Sequence, residues 1–126
     1  MNRERHDPPL VCIVDDDDTI RRALTRLVES LGLRACAFAG PRELLDRRPW
    51  DDPSCLLLDV QLPDMSGFEL YDLILEGGCE VPVVFVTGEP RPDTRSKAAR
   101  VNAVACLDKP FREADVVAAI REALAV

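Results

Sequence analysis

The chain has 126 residues, 47% of them hydrophobic, which is the size and composition of one folded domain and excludes a disordered chain. Its formal net charge of −7 argues against direct nucleic-acid contact by this segment and against an anionic membrane surface as a partner. The five cysteines form no CxxC pair, so no zinc site is expected, and their odd number and irregular spacing indicate a reducing compartment. Without a signal peptide or a run of apolar residues long enough to span a bilayer, the chain is expected to be cytoplasmic.

Strands and helices are predicted to alternate five times along the chain. Residues 1–9 are expected to form a loose N-terminal segment and residues 10–126 a single domain. The predicted strands are short apolar runs, at 10–14 (β1), 33–38 (β2), 55–58 (β3), 81–86 (β4) and 103–107 (β5). Between and after them, helices are predicted before Gly32 (α1) and at 41–47 (α2), 67–76 (α3), 94–100 (α4) and 112–124 (α5). This alternation favours a doubly wound α/β fold, a parallel sheet with helices on both faces.

The first helix is predicted from an apolar stripe at helical spacing, formed by Ile20, Leu24, Leu27, Val28 and Leu31. Asp17 or Asp18 can cap its N-terminus, and Gly32 can end it. Four cysteines lie inside apolar runs and are predicted to be small buried hydrophobic side chains: Cys12, Cys36, Cys55 and Cys106.

The third predicted strand leads directly into Asp59, and turn residues follow it up to Gly67. In open parallel sheets, ligands bind outside the carboxyl ends of the strands, so Asp59 is a candidate for chemistry. The alternative is a loop aspartate that caps the following helix.

Polar groups end four of the predicted strands, at Asp15 and Asp16, Asp59, Thr87, and Lys109. Because parallel strands share one carboxyl edge, these side chains are expected to lie together. A pair of carboxylates about 4 Å apart costs on the order of 4 kcal/mol at an effective dielectric constant near 20, so a cation is needed to offset the repulsion. Mg²⁺ suits one or two carboxylates, and the lysine ammonium can offset another part. With the threonine hydroxyl as a hydrogen-bond donor and Asp59 as nucleophile, such a pocket is suited to phosphoryl transfer.

The sequence resembles the receiver domain of a two-component response regulator. Four stretches in order carry the resemblance over nearly the whole chain: Val14-Asp15-Asp16, Leu58-Asp59 with Pro63-Asp64-Met65-Ser66-Gly67, Val86-Thr87-Gly88, and Lys109-Pro110-Phe111. The resemblance implies a flavodoxin-like five-stranded sheet in the order 2-1-3-4-5. The subgroup it looks most like is the kind fused to a helix-turn-helix transcription domain.

The resemblance implies a role for each pocket residue. Asp59 would accept a phosphoryl group from a sensor histidine kinase, Thr87 would be the switch hydroxyl, and Lys109 would pair with the phosphoryl group. For Mg²⁺, Asp16 would be a direct ligand, Asp15 a direct or water-mediated one, and Asp59 and the Gln61 carbonyl would complete the metal site. The acids at 17 and 18 are instead interpreted as helix-capping residues.

The implied function is a phosphorylation-dependent signalling switch rather than an enzyme. Phosphorylation would change the α4-β5-α5 face, which would control an output, transcription in that subgroup, and could also form a homodimer. By the same resemblance Gln61 and Glu89 flank the pocket and could tune dephosphorylation; the alternative is that both are solvated loop side chains.

The sequence departs from the family pattern around its fourth and fifth strands. Cys106 occupies a position where receivers often carry Tyr or Phe, so an aromatic flip coupled to Thr87 cannot work in the usual way. Pro90 and Pro92 stiffen the loop before α4, and Asn102 is predicted to be left-handed. These departures motivate an alternative, a receiver-like interaction module that signals without phosphorylation. A Mg²⁺-dependent phosphatase is disfavoured because Gln61 stands where it would need a second aspartate.

Overall fold

The computed structural model describes residues 8–47 and 53–125 as a five-stranded parallel sheet with helices on both faces. The sheet order is β2-β1-β3-β4-β5, which confirms the predicted doubly wound fold. The strands are β1 (Leu10–Val14), β2 (Arg34–Phe38), β3 (Cys55–Asp59), β4 (Val83–Thr87) and β5 (Ala105–Asp108). The helices are α1 (Asp18–Ser30), α2 (Pro41–Arg47), α3 (Gly67–Glu76), α4 (Thr94–Arg100) and α5 (Glu113–Leu124). Most of the expected loose segment 1–9 lies outside the described residues, as does residue 126.

The central strands are buried on both faces, so their side chains divide between two cores. On one face Leu56, Leu58 and Phe85 pack with residues of α3 such as Leu70 and Ile74. On the other face, alternate residues of β1, β3 and β4 pack against α1 and α5. Uninterrupted apolar runs such as Cys55–Leu58 are what a strand covered on both sides requires.

The predicted ends of α1 are confirmed. Asp17 is the N-cap residue, and its Oδ1 accepts a hydrogen bond of 3.0 Å from the amide of Ile20. Asp18 instead forms an ion pair with Arg21, one turn along the helix. Past the helix, Gly32 has a φ of +81°, the left-handed conformation that a helix-ending glycine adopts readily.

The predicted bounds of β4 and β5 are wrong at both ends, since each strand begins and ends later in the chain. Pro82 has no N–H to give to the sheet, and its carbonyl accepts from the amide of Leu56 at 2.9 Å before β4 begins. Before β5, Ala103 still donates to the carbonyl of Ala98 in α4. Asn102, which lies between the end of α4 and Ala103, has a φ of +56°, as predicted.

Burial of the cysteines follows the position of their strands. Cys12 and Cys55 lie in inner strands and are fully buried, as predicted. The prediction that Cys36 and Cys106 are buried is wrong: both are half-buried, because β2 and β5 are the edge strands of the sheet. Among the described residues, none of the helices has the length and apolar character needed to cross a membrane.

Candidate functional site: an acidic pocket at the carboxyl edge of the sheet

The carboxyl ends of four strands bring the predicted pocket residues together. Asp15 directly follows β1, and its amide donates to the carbonyl of Phe38 at 3.1 Å. Asp59 and Thr87 are the last residues of β3 and β4. Lys109 directly follows β5, and its amide donates to the carbonyl of Thr87 at 2.8 Å. Backbone hydrogen bonds therefore hold each of these side chains at the edge of a rigid sheet.

Lys109 lies between two buried carboxylates. Its Nζ is 3.0 Å from Oδ2 of Asp59, to which it donates a hydrogen bond, and 3.0 Å from Oδ2 of Asp15. The side chains of Asp15 and Asp59 are only 2% and 4% exposed. The contact with Asp15 is not aligned as a hydrogen bond, and its Oδ2 has no hydrogen-bond donor among the described residues. One ammonium therefore faces two buried acids, which leaves negative charge in the pocket.

The pKa shifts in the pocket reflect this balance. Burial raises the pKa of Asp59, and the charge of Asp15 raises it further, while hydrogen bonds from Lys109 and from the amide of Gln61 lower it in part. Burial by itself lowers the pKa of Lys109, but its contacts with the two carboxylates outweigh burial, and the pKa is raised overall. The lysine thus stays charged, and the ionised form of Asp59 is one that a further cation would stabilise.

The acids of the pocket fit a divalent cation. One carboxylate oxygen each of Asp15, Asp16 and Asp59 can lie within 4.8 Å of the others, with Asp16 exposed at the mouth and the other two buried. Hard oxygen ligands of this kind suit Mg²⁺, and Oδ2 of Asp15 accepts no hydrogen bond among the described residues although the Lys109 ammonium lies 3.0 Å away. The residues present therefore fit the ion that the sequence predicted.

Gln61 and Thr87 form a hydrogen-bond network beside Asp59 that the sequence did not predict. The Thr87 hydroxyl donates to Oε1 of Gln61 at 2.9 Å and accepts from the amide of Glu89 at 3.1 Å. Nε2 of the Gln61 side chain donates to the carbonyl of Glu89 at 3.4 Å. The backbone amide of Gln61 donates to Oδ1 of Asp59 at 3.0 Å. The Gln61 side chain is therefore bonded across the pocket rather than solvated.

The loop from β3 to α3 is shaped by Gly67. A Cβ on Gly67 would lie 2.4 Å from the backbone oxygen of Asp59, so the helix can begin this close to the strand only with glycine there. Asp64 has a φ of +73° in the preceding turn, and Ser66 caps α3 in a capping box with Glu69. These local features hold the backbone that positions Asp59.

Near Cys106, the guanidinium group of Arg95 connects α4 to β5 through hydrogen bonds. Arg95 of α4 donates to the Cys106 carbonyl through Nη1 and to the Asp108 carboxylate through Nη2, both at 3.3 Å. The site where the family often has an aromatic ring is thus a half-buried thiol beneath this arginine.

Comparisons with known proteins identify the family to which this fold and pocket belong. The family model of the response regulator receiver domain matches residues 11–121. The chain belongs to this family. It is 37% identical over 115 residues to the response regulator protein TmoT of Ectopseudomonas mendocina, covering 91% of this chain and 52% of that protein. To the transcriptional regulatory protein FixJ of Azorhizobium caulinodans it is 33% identical over 114 residues, covering 90% of this chain and 54% of that protein.

A solved structure described as a BeF3-activated DrrB receiver domain superposes on this fold with a TM-score of 0.84. It is 25% identical in sequence, and the match covers 94% of this chain and 99% of that one. The chain thus corresponds to a whole receiver domain but spans only about half the length of the curated relatives that it matches. It is a receiver domain of a two-component response regulator.

Proposed function

We propose that this domain accepts a phosphoryl group on Asp59 from the phosphohistidine of a partner sensor kinase, in the presence of Mg²⁺. In that state the α4-β5-α5 face would change and control an output. The role is that of a stoichiometric signalling switch and not of an enzyme with many turnovers, and we place it in the cytoplasm. The observation that carries the proposal is the carboxylate of Asp59, buried beside Lys109 and Asp15 at the carboxyl edge of the sheet.

The chemistry follows from the charges that surround Asp59. A carboxylate oxygen of Asp59 attacks the phosphorus, the phosphorus–nitrogen bond breaks, and the imidazole nitrogen keeps the electron pair. Asp59 then carries an acyl phosphate, which adds negative charge to a site that already holds Asp15. Lys109 would pair with a phosphoryl oxygen and offset part of that charge.

A divalent cation would offset the rest. When bound, Mg²⁺ supplies positive charge to the phosphoryl oxygens and to the acids around them. Asp16 would hold it directly, Asp15 directly or through a water molecule, and Asp59 and the Gln61 carbonyl would complete the protein ligands. The donor-free oxygen of Asp15 supports this assignment.

The output step begins at Thr87. Its hydroxyl is bonded to Gln61 in the structure, and it would turn to donate to a phosphoryl oxygen once Asp59 is phosphorylated. Thr87 is paired with Asp108 in the sheet, and Arg95 of α4 bonds to Asp108. This chain of contacts leads from the pocket to the α4-β5-α5 face, which could also form a homodimer. Relatives named as transcriptional regulators support transcription as the output.

A second candidate function is an interaction module that signals without phosphorylation. Cys106 replaces the usual aromatic switch residue, and Arg95 fastens α4 to β5 over it. In this alternative the pocket is retained, but the face stays in one conformation.

One experiment separates the two functions. The protein is treated with a small phosphodonor such as acetyl phosphate and Mg²⁺, and its intact mass is measured. The proposal predicts one added phosphoryl group. This group should not form when Mg²⁺ is chelated before the phosphodonor is added, and it should be absent in Asp59→Asn. Asp64→Asn, which removes a nearby carboxylate of the loop, is the matched control and should be modified like the parent. An unmodified parent protein would favour the interaction module.

A further inference from the structure

Two cysteines outside the acidic pocket face each other across the first two strands. Cys12 of β1 and Cys36 of β2 are paired in register, so their side chains lie on the same face of the sheet. Their Sγ atoms are 2.8 Å apart. Nonbonded heavy atoms have their optimal separation at roughly 3.5–4 Å, and a disulfide bond is about 2.05 Å long. The sulfurs are thus closer than an ordinary van der Waals contact.

The surroundings of the two thiols differ in a way that suits stepwise oxidation. Cys36 lies in the edge strand and is half-buried, so a small oxidant can reach it, whereas Cys12 is fully buried behind it. The contact with Cys12 lowers the pKa of Cys36 most, burial opposes that effect, and the nearby Arg34 lowers the pKa further. The same contact and burial raise the pKa of Cys12. Cys36 is therefore the sulfur that an oxidant reaches first, with the Cys12 sulfur 2.8 Å away at its side.

We propose that Cys12 and Cys36 form an oxidation site that closes to an intramolecular disulfide when the protein meets hydrogen peroxide. The Cys36 thiolate attacks one peroxide oxygen, the oxygen–oxygen bond breaks, and Cys36 becomes a sulfenic acid with release of hydroxide. The Cys12 sulfur then attacks the sulfur of Cys36. Its proton leaves with the sulfenic hydroxyl as water, and the sulfur–sulfur bond forms. Overall, two thiols are oxidised to a disulfide and one hydrogen peroxide is reduced to two molecules of water. The hydroxide released in the first step becomes one of these waters by taking up the proton that the Cys36 thiol lost on ionising.

A metal would need a different arrangement of the same two sulfurs. Zinc–sulfur bonds are about 2.3 Å long, so two thiolates that share a metal lie farther apart than 2.8 Å. Among the described residues, the groups placed to hold a metal are the three acids of the pocket and include neither cysteine. The short contact is therefore one that favours a disulfide.

The bond would fasten an edge strand to the strand that carries the pocket. Cys12 lies in β1, which ends at Asp15, and the amide of Asp15 is bonded to Phe38 at the end of β2. The disulfide would close a loop that contains all of α1. Constraining the unfolded chain in this way is expected to raise the melting temperature by roughly 10–15 °C.

Peptide mapping of the peroxide-treated protein tests the proposal. The reduced protein is exposed to hydrogen peroxide, denatured, alkylated with N-ethylmaleimide and digested with trypsin. The expected product is a cross-link between the peptides 6–21 and 35–42, together with an intact mass lower by two hydrogen atoms. Dithiothreitol should reverse both changes and the rise in melting temperature. The proposal would be overturned if Cys36 were oxidised to sulfinic acid while Cys12 remained a free thiol that N-ethylmaleimide then alkylates.

Matched variants assign the sulfurs. Cys36→Ser and, in case that variant folds poorly, Cys12→Ala should both lose the cross-link and the rise in melting temperature. Cys106→Ser removes a half-buried thiol from the other edge strand and should keep both. If Cys106→Ser abolished the cross-link, or if Cys36→Ser retained a link from Cys12, the assignment would be wrong. None of these outcomes depends on phosphorylation of Asp59.

Discussion

The hydroxyl of Thr87 donates a 2.9 Å hydrogen bond to Oε1 of Gln61, which fixes the direction of its proton in the resting domain. The same hydroxyl oxygen accepts from the amide of Glu89, and Oε1 of Gln61 also accepts from the amide of Gly88 at 3.3 Å. The proposed switch step requires this hydroxyl to donate to a phosphoryl group on Asp59 instead. In that proposal Gln61 stabilises the unphosphorylated domain, and this hydrogen bond must break before the Thr87 hydroxyl can turn.

Replacing Gln61 with methionine is therefore expected to favour the activated state. Gln61→Met keeps the length of the side chain but removes the acceptor, and the net contribution of one hydrogen bond is about 0.5–1.5 kcal/mol. The apparent affinity for beryllofluoride in the presence of Mg²⁺, measured by calorimetry, should rise by roughly twofold to tenfold.

Thr87→Val gives the opposite control, because it removes the hydroxyl that would bond to the phosphoryl group. Its beryllofluoride affinity should fall below that of the parent protein. If Gln61→Met bound beryllofluoride more weakly than the parent, Gln61 would be supporting the active state rather than the resting one.

Gly67→Ala is expected to destabilise the domain and disturb Asp59. The new Cβ would lie 2.4 Å from the backbone oxygen of Asp59, so strand and helix must separate. Overpacking of this kind costs about 1–3 kcal/mol, which urea unfolding can measure. Gly40→Ala is the matched control, because its Cβ would meet the nearest atom, Cγ of Pro63, at 3.7 Å. Equal losses in the two variants would show that the close approach at Gly67 is not the cause.

The acidic pocket could be predicted from the sequence because its geometry follows from strand ends. The apolar runs predict where β1 ends and, to within one residue, where β3 ends, and parallel strands bring Asp15 and Asp59 to one edge whatever the details of packing. The network of Gln61 could not be predicted, since the direction of a loop side chain depends on contacts with a distant segment. The same holds for Cys12 and Cys36, because an apolar run five residues long does not define which residues of two parallel strands lie opposite each other.

Lys109→Met tests the charge balance of the pocket. Without metal, the variant leaves Asp15 and Asp59 buried and without their cation, and the free energy of unfolding should fall by about 3 kcal/mol. Because the ammonium no longer repels a second cation, Mg²⁺ should bind roughly tenfold more tightly, about 1.4 kcal/mol, as measured by calorimetry.

Lys97→Met is the control for that variant. Its ion pair with Asp93 joins two side chains that are 50% and 62% exposed, so both stability and Mg²⁺ affinity should change little. Weaker Mg²⁺ binding by Lys109→Met would contradict the proposed position of the metal among these acids.

The single tyrosine of the chain gives a pH-dependent prediction. Burial raises the pKa of Tyr71 above its ordinary value of 10.0, helped by the nearby Cys79 and Glu80, and its hydroxyl donates to the carbonyl of Val81 at 2.8 Å. The neutral form is thus favoured in the folded state. Above about pH 10 the unfolded chain loses this proton first, so stability falls as pH rises toward the folded pKa.

Tyr71→Phe should lose about 1 kcal/mol of unfolding free energy at neutral pH, because the Val81 carbonyl loses its donor. The difference from the parent should shrink above about pH 10, since only the parent has the phenol to titrate. Urea unfolding of both proteins from about pH 8 to about pH 11, with tyrosinate absorbance of the parent alongside, measures this. A constant difference across that range would show that Tyr71 titrates alike in both states.

The proposed function depends most on Asp59 as the residue that receives the phosphoryl group. Sodium borohydride reduces an aspartyl phosphate to homoserine, which tandem mass spectrometry can assign to one position of the chain. After treatment with acetyl phosphate and Mg²⁺, we predict homoserine at residue 59, with residues 15, 16 and 64 still aspartate. Homoserine at one of those other acids, with Asp59 unchanged, would contradict the account.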